Sequence, residues 1–304
     1  MLKSCKEVFR MNSEIFKNKV IKLEQRPKRS FSKFIIGLLR WSILLFFAVM
    51  TAFPLIWTLF SSVKSSQEIL TSALSLPKKL HWENYVYALK VTGIVQSYLN
   101  SIIVTTISIL LNAYVSLLAA YVIARFRFRG SAFLMTLFSI GILIPINSAL
   151  LPIKIIMDNL RLSNSLIGLA ILYTAIGIPI SVLILRSFIL GIPVQVDEAA
   201  RIDGASLWRT VWKIIIPMAR PGIVTIMILQ AIYCWNEFLY AIILIALPVK
   251  RTLQIAIRFF LGQFFFDYGA LFAAMTLAII PTVVLFIIFQ NSVVSSLSMG
   301  AVKQ

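Results

Sequence analysis

Histidine is almost missing from this chain: His81 is the sole example. That excludes the His-pair arrangement of ordinary zinc sites and leaves His81 reading as a surface-loop residue. Cysteine is scarce too. Cys5 and Cys234 lie far apart on different kinds of segment, which is neither a disulfide framework nor a metal-ligand spacing, so no metal and no cofactor is expected. Acidic residues number 11 against 29 lysines and arginines, giving a net charge of +18. The basic residues sit between apolar runs instead of forming one patch, so nucleic acid is not an expected partner. No Gly-x-x-x-x-Gly-Lys-Ser/Thr occurs, so the chain carries no P-loop nucleotide site of its own. With 13% charged residues, it also lacks the polar surface that a soluble protein needs.

What is present is apolar sequence: 60% of the 304 residues are hydrophobic. A soluble core of that length cannot hide so much apolar surface, and the expected class is a polytopic membrane protein. Six runs are long enough to span, at about 34–63, 98–124, 131–156, 164–190, 221–247 and 268–290. They are too long and too evenly apolar for barrel strands, which alternate. Trp41 and Trp57 are aromatic residues of the interfacial kind, and Pro54 kinks the first run. Pro145, Pro179 and Pro281 fall inside runs, where each frees a backbone carbonyl and marks either a hinge or a static kink.

Residues 1–33 read as a basic cytoplasmic tail that sets orientation and can touch anionic lipid. With both termini inside, the cytoplasmic segments hold 20 of the 29 lysines and arginines, including Arg125, Arg127 and Arg129 in one tight turn. The expectation is therefore an all-α integral membrane protein of six transmembrane helices, the six-span domain covering 34–304, in the cell membrane. Residues 64–97 form the largest outside loop, too short for a domain. No internal repeat is visible, so any transporter symmetry has to come from a second chain.

Between the fourth and fifth runs lies a polar island, residues 191–220, longer than an ordinary helix connection and so expected to have structure of its own. Pro193 suits a first helical turn, and Asp197 and Glu198 lie early in that helix, where its dipole favours acids. Asp197 and Arg201 are four apart and can pair on one face. Ala199, Ala200 and Ala205 are small enough for close approach of a partner. Gly204 breaks the helix, and Ser206 can cap a second, short one. Leu207, Val211, Ile214 and Ile215 give this second helix one apolar face, and Pro217 and Pro221 are expected to end it and restart the span. On physical grounds the island is either a docking element or an amphipathic tether between two spans.

The spacing Glu198-Ala199-Ala200, then Gly204, then Ile214-x-Ile216-Pro217 resembles the signature of permease subunits of bacterial ABC importers, with Ile216 where the family usually has Leu. Pro54-Leu55-Ile56-Trp57 with Ser61 to Lys64, Asn100-Ser101, Ala119-Ala120-Tyr121 before Arg125-Phe126-Arg127-Phe128, Trp235-Asn236-Glu237-Phe238 and the tail Gly300-Ala301-Val302-Lys303 resemble the carbohydrate type, like the smaller permease of maltose-type importers. The resemblance implies that the island is a cytoplasmic coupling helix docking in a cleft of a separate ABC ATPase subunit. Glu198, Ala199, Ala200, Asp203, Gly204, Ala205, Ser206 and Leu207 would form the docking surface. It further implies a second homologous permease subunit, an extracytoplasmic solute-binding protein, and a sugar or oligosaccharide as cargo.

Glu237, beside Asn236, is the one acid within the runs, and an intramembrane acid is a functional candidate by default. It either lines the substrate path together with Asn236 or bonds a neighbouring helix for packing. Gln230, seven residues earlier on the same face, is a weaker candidate, and Tyr233 and Tyr240 read as packing. An intramembrane enzyme would need paired carboxylates, a Ser/His or Ser/Lys pair, or a His-rich site, and the runs offer one acid and no histidine. A standalone carrier would need internal repeats and a coupling-ion site, and neither is visible.

Overall fold

The computed structural model describes residues 31–91, 93–258 and 267–301. The expected tail 1–33, apart from the residues that open the first helix, and the end of the tail 300–303 lie outside them. Every regular element among the described residues is helical. The first helix, α1 (Phe31–Ser61), runs through Pro54. A first unit ends at Trp57, and the chain from Thr58 onward forms a second. In the first unit the apolar side chains of α1 are exposed, Trp41 and Phe46 among them, as suits a lipid-facing span. The packing described below belongs to the second unit.

Among the described residues, four more helices are long and apolar enough to cross a membrane, or five if one bent pair counts as one pass. The outside loop folds first, into α2 (Ser66–Thr71) and α3 (Glu83–Val91). Lys64, fully buried, holds it: its Nζ donates to the Ser72 and Ala73 carbonyls at 3.3 and 3.1 Å. Asn84 donates to the Ser62 and Lys64 carbonyls at 2.9 and 2.8 Å.

Helix α4 (Ile94–Arg125) and helix α7 (Leu166–Leu190) form the most extensive helix pair. A ladder of small polar residues runs along one face of α4, with Ser97, Ser101, Thr105, Ser108, Asn112 and Ser116 all buried; Ser101 Oγ accepts from Leu253 N, and the part around Ser108 and Asn112 meets α7. In a membrane such residues let backbones approach and then bond across the gap. Ser108 Oγ donates to the Ala170 carbonyl at 3.0 Å, Asn112 Nδ2 to the Thr174 carbonyl at 3.3 Å, and Ser181 Oγ to Asn112 Oδ1 at 2.7 Å. Gln230 closes the seam from a third helix, donating to the Tyr173 carbonyl at 2.9 Å. Gly177 lies at this crossing, where an added Cβ would sit 2.8 Å from Asn112 Nδ2 and 2.9 Å from Gln230 Cδ. Gly177→Ala is therefore expected to cost about 1–3 kcal/mol by overpacking. Thermal unfolding in detergent, followed by labelling of the buried Cys234 thiol in a Cys5→Ser background, checks this. An unchanged transition would show that the seam yields freely.

Two expected helices are not continuous. The third run splits into α5 (Ser131–Leu143) and α6 (Leu150–Asn159), joined by a short 3-10 turn and bent by 91°. Pro145 is the cause: the residue before a proline is pushed out of the helical region, and Ile144 is extended with ψ of 121°. The fifth run splits at Glu237, where ψ is 130°, and resumes as α10 (Leu239–Leu244). Elsewhere the expected interruption does not occur. Pro217 and Pro221 do not end the island's second helix: α9 runs unbroken over Leu207–Asn236. It widens to a π-turn over Val211–Ile215, with Ile216 N bonding the Val211 carbonyl, and so absorbs the missing N–H of Pro217. After α10 come α11 (Leu253–Arg258) and the last span, α12 (Tyr268–Ala301), which passes through Pro281.

Candidate functional site

The island is a helix–turn–helix corner. Helix α8 (Gln195–Ile202) ends in a Schellman motif: Gly204 N donates to the Arg201 carbonyl at 3.0 Å and Ala205 N to the Ala200 carbonyl at 2.9 Å. The turn needs φ of +75° at Gly204, a region open to glycine without a steric penalty. Ser206 then caps α9, its Oγ accepting from Arg209 N at 3.3 Å. Of the residues assigned to docking, Glu198, Ala199, Asp203, Gly204, Ser206 and Leu207 are exposed, Ala205 is half-buried, and Ala200 is buried against the body. Val211 and Ile215 form the inward apolar face of α9, as its spacing suggested, whereas Leu207 turns outward. Ile202, 86% exposed, and Trp208 stand beside Leu207 and give a polar corner an apolar tip. The sequence signal for these two was an apolar side chain inside a polar motif.

Asp197 does not pair with Arg201. It turns inward to an ion pair with Arg125, the last residue of α4, with Nε–Oδ2 at 2.9 Å. Tyr121 OH donates to its other oxygen at 2.8 Å. Both members of the pair are buried. A desolvated carboxylate takes one fixed hydroxyl donor and a buried opposite charge over one exposed side chain on its own helix.

The second place is a cavity of about 460 Å³ where the two helix breaks face each other. Residues 144–147 line it from the third-run break and residues 236–240 from the fifth, with Tyr233 beside them. Tyr240 OH donates to the Ile146 carbonyl at 2.7 Å and ties the two breaks together. Glu237 is the keystone. Its Oε1 accepts from Tyr240 N at 2.8 Å and its Oε2 from Ala241 N at 3.1 Å, so the carboxylate caps α10. Oε2 also accepts from the hydroxyl of Tyr173, which is fully buried. Asn236, which lines the cavity, donates from Nδ2 back to the Ile232 carbonyl at 2.8 Å. Asn147, which sequence reasoning missed, is exposed on the opposite wall. Gln230 stays in the buried seam and does not line the cavity.

Neither place is arranged for making or breaking bonds: both oxygens of Glu237 are occupied in holding the fold, and the island's polar groups are spread over a corner. Spans that break on facing walls of one cavity are in keeping with a transport protein of the membrane. Residues 113–298 match the family described as "Binding-protein-dependent transport system inner membrane component", and the chain belongs to that family. It is 34% identical to the probable ABC transporter permease protein YurM of Bacillus subtilis, over 93% of each chain. It is also 34% identical to the diacetylchitobiose uptake system permease protein NgcG of Streptomyces coelicolor, over 86% of this chain and 87% of that one. Among solved structures, a chain of a bacterial ABC transporter that imports alginate superposes with a TM-score of 0.78 at 23% identity, covering 87% of this chain and 99% of its own, which shows a common fold.

Proposed function

We propose that this chain is one of two permease subunits of an ATP-driven carbohydrate importer, with the cavity at the two helix breaks on the sugar path. The observation that carries the reading is that pair of breaks opening on one space. Unwound backbone at membrane depth is tolerated where it lines a cavity, and a permease uses it there. The lining suits a sugar: the half-buried Tyr233 and Phe238 offer ring faces, and the amides of Asn147 and Asn236 offer bonds to hydroxyls. NgcG, named for diacetylchitobiose, supports the same cargo class. Glu237 serves that path as a cap, with its oxygens directed to the protein.

Residues 1–33 and the C-terminus lie in the cytoplasm in this reading, and residues 34–304 form the permease domain. The corner at 191–220 is the coupling element, whose exposed Glu198, Asp203 and Leu207 face a soluble ABC ATPase. A second permease supplies the other half of the path, and a solute-binding protein delivers the sugar from outside. The test is purification of the assembly in mild detergent, with its members identified. Glu198→Lys and Leu207→Asp change exposed side chains with no role in the core. Each is expected to leave the chain in the membrane while cutting ATPase co-purification and sugar uptake roughly tenfold, about 1.4 kcal/mol of association. Normal uptake in both variants, or a chain that transports without any ATPase, would overturn the reading.

A further inference from the structure

The docking corner meets the membrane helices through apolar side chains, Val196 of α8 and Val211 and Ile215 of α9, and through one buried polar cluster. Of the eight residues of α8, two are buried: Ala200, which offers a single methyl group, and Asp197, which offers a carboxylate. That carboxylate meets Arg125 Nε at 2.9 Å and takes the Tyr121 hydroxyl at 2.8 Å, both from the last turns of α4. Arg125 reaches further: its Nη2 donates to the Ile192 carbonyl at 3.0 Å, in the link that follows α7. One guanidinium thus joins α8, the end of α4 and the exit from α7. Adjacent acids divide their tasks, Glu198 facing out from the corner and Asp197 facing in.

We infer that Tyr121, Arg125 and Asp197 form the joint through which movement of the docking corner reaches α4 and α7, beside the direct continuity of α9 with its own span. This rests on the docking reading above and adds to it the residues that transmit the force. Two physical arguments support the joint over a purely structural pair. A buried ion pair is a poor device for stability alone, because desolvation of both charges offsets the attraction and an apolar contact of the same volume does as well. It is a good device for direction, since a guanidinium set between the Asp197 carboxylate and the Ile192 carbonyl resists sliding where packed methyl groups do not. Without it, α8 stays linked to the body through the turn at Pro193, the Gly204 turn and the apolar contact of Val196, none of which fixes its direction by charge. A pull on the corner would then be absorbed locally, and α4 and α7 would stay still.

The three residues are positioning residues: none lines the cavity and none is exposed on the corner. Their signature is therefore uncoupling, which loss of docking or of folding does not produce. The experiment reconstitutes the whole importer in liposomes and measures ATP hydrolysis and sugar uptake in the same vesicles. Asp197→Asn keeps the size and an acceptor oxygen but removes the charge. It is expected to retain the ATPase on purification and to continue hydrolysing ATP, while sugar imported per ATP falls at least roughly tenfold. Tyr121→Phe removes one bond and carries little folding risk, and a fall of about two- to fivefold in the same ratio is expected. Pairing Arg125→Asp with Asp197→Arg should recover part of the ratio lost by either change alone.

An unchanged ratio in Asp197→Asn and Tyr121→Phe, whether uptake is normal or falls in step with hydrolysis, overturns the joint. If Asp197→Asn does not accumulate in the membrane, the Tyr121→Phe ratio decides by itself. The docking reading has its own readout. If Glu198→Lys and Leu207→Asp keep the ATPase bound and transport normally, the corner is not the dock. If they release it while Asp197→Asn keeps its ratio, the dock stands and the joint alone fails.

Discussion

Replacing Glu237 by alanine is expected to collapse the break at the fifth run and stop transport. The carboxylate accepts three donors, from Tyr173 OH, Tyr240 N and Ala241 N. Alanine removes all three acceptor contacts at once. The loss of a helix cap and the stranding of a buried hydroxyl together cost about 3 kcal/mol. In a chain of this size that is a fall of roughly 5 °C in the unfolding midpoint, read by thiol labelling of Cys234. Glu237→Gln retains one acceptor oxygen for the α10 cap and should cost about 1 kcal/mol, with uptake reduced but measurable. The two variants separate the roles an intramembrane acid can have. If the carboxylate caps the break, uptake falls in step with the midpoint across the pair. If Glu237→Gln leaves the midpoint unchanged and abolishes uptake, the carboxylate touches the sugar and the capping role assigned here is wrong. Tyr240→Phe provides a third point: it leaves the cap intact but frees the Ile146 carbonyl from the facing break, so a loss of uptake with a small midpoint change would trace to the tie between the breaks.

What the sequence made legible were the features that local chemistry decides. The apolar runs, the helix break at Gly204 and the cap at Ser206 each depend on a few neighbouring residues, and the structure has the helical runs, the end of α8 before Gly204 and the bond from Arg209 N to Ser206. What stayed hidden depends on partners distant in sequence. The spacing of Asp197 and Arg201 shows that they can meet along one helix. It cannot show that Arg125 and Tyr121, from another helix, offer the same carboxylate a drier and more rigid site. The ladder from Ser97 to Ser116 was present as a repeat of small polar residues, but on a uniformly apolar background it reads as dilution of hydrophobicity until a second helix is laid on it. Proline was read in both directions with mixed success. Pro145 does break its helix, because Ile144 has an extended alternative and the facing cavity accepts the unwound turn. Pro217 does not, because a π-turn re-partners the backbone just before it. Proline removes one donor in either case, and the surroundings decide whether the chain bends or widens.

The tightest backbone approach in the described chain predicts the other large loss. Gly168 opens α7, its N–H donating to the Ser165 cap at 3.3 Å. A Cβ built there would lie far inside van der Waals contact with the Leu162 carbonyl oxygen, 2.9 Å from the carbonyl carbon and 3.0 Å from Leu162 Cβ. Unlike the neighbours of Gly177, the obstructing atoms belong to the backbone and cannot rotate away. Nor can the loop shift easily. Asn164, held at φ of 58°, donates its N–H to the Leu244 carbonyl at 2.7 Å, accepts from Leu247 N through Oδ1 at 3.0 Å, and accepts from Lys250 Nζ through its own carbonyl at 2.8 Å. Moving the loop to admit a methyl group would pull on the end of α10, which forms one side of the cavity. Gly168→Ala is therefore expected to cost about 3 kcal/mol or more, as strain plus disrupted bonds, and to lower both membrane yield and uptake. Gly37→Ala is the control: nothing lies within 4 Å of its added Cβ, and a change within about 0.5 kcal/mol is expected. The damage from Gly168→Ala should moreover spread to α10. Weakened protection of the Leu244 to Leu247 amides in hydrogen exchange, with the α4–α7 seam near Asn112 unaffected, is the expected pattern. Uniform loss of protection would instead mean that the whole helix pair had come apart, and an unfolding midpoint equal to that of Gly37→Ala would refute the close approach itself.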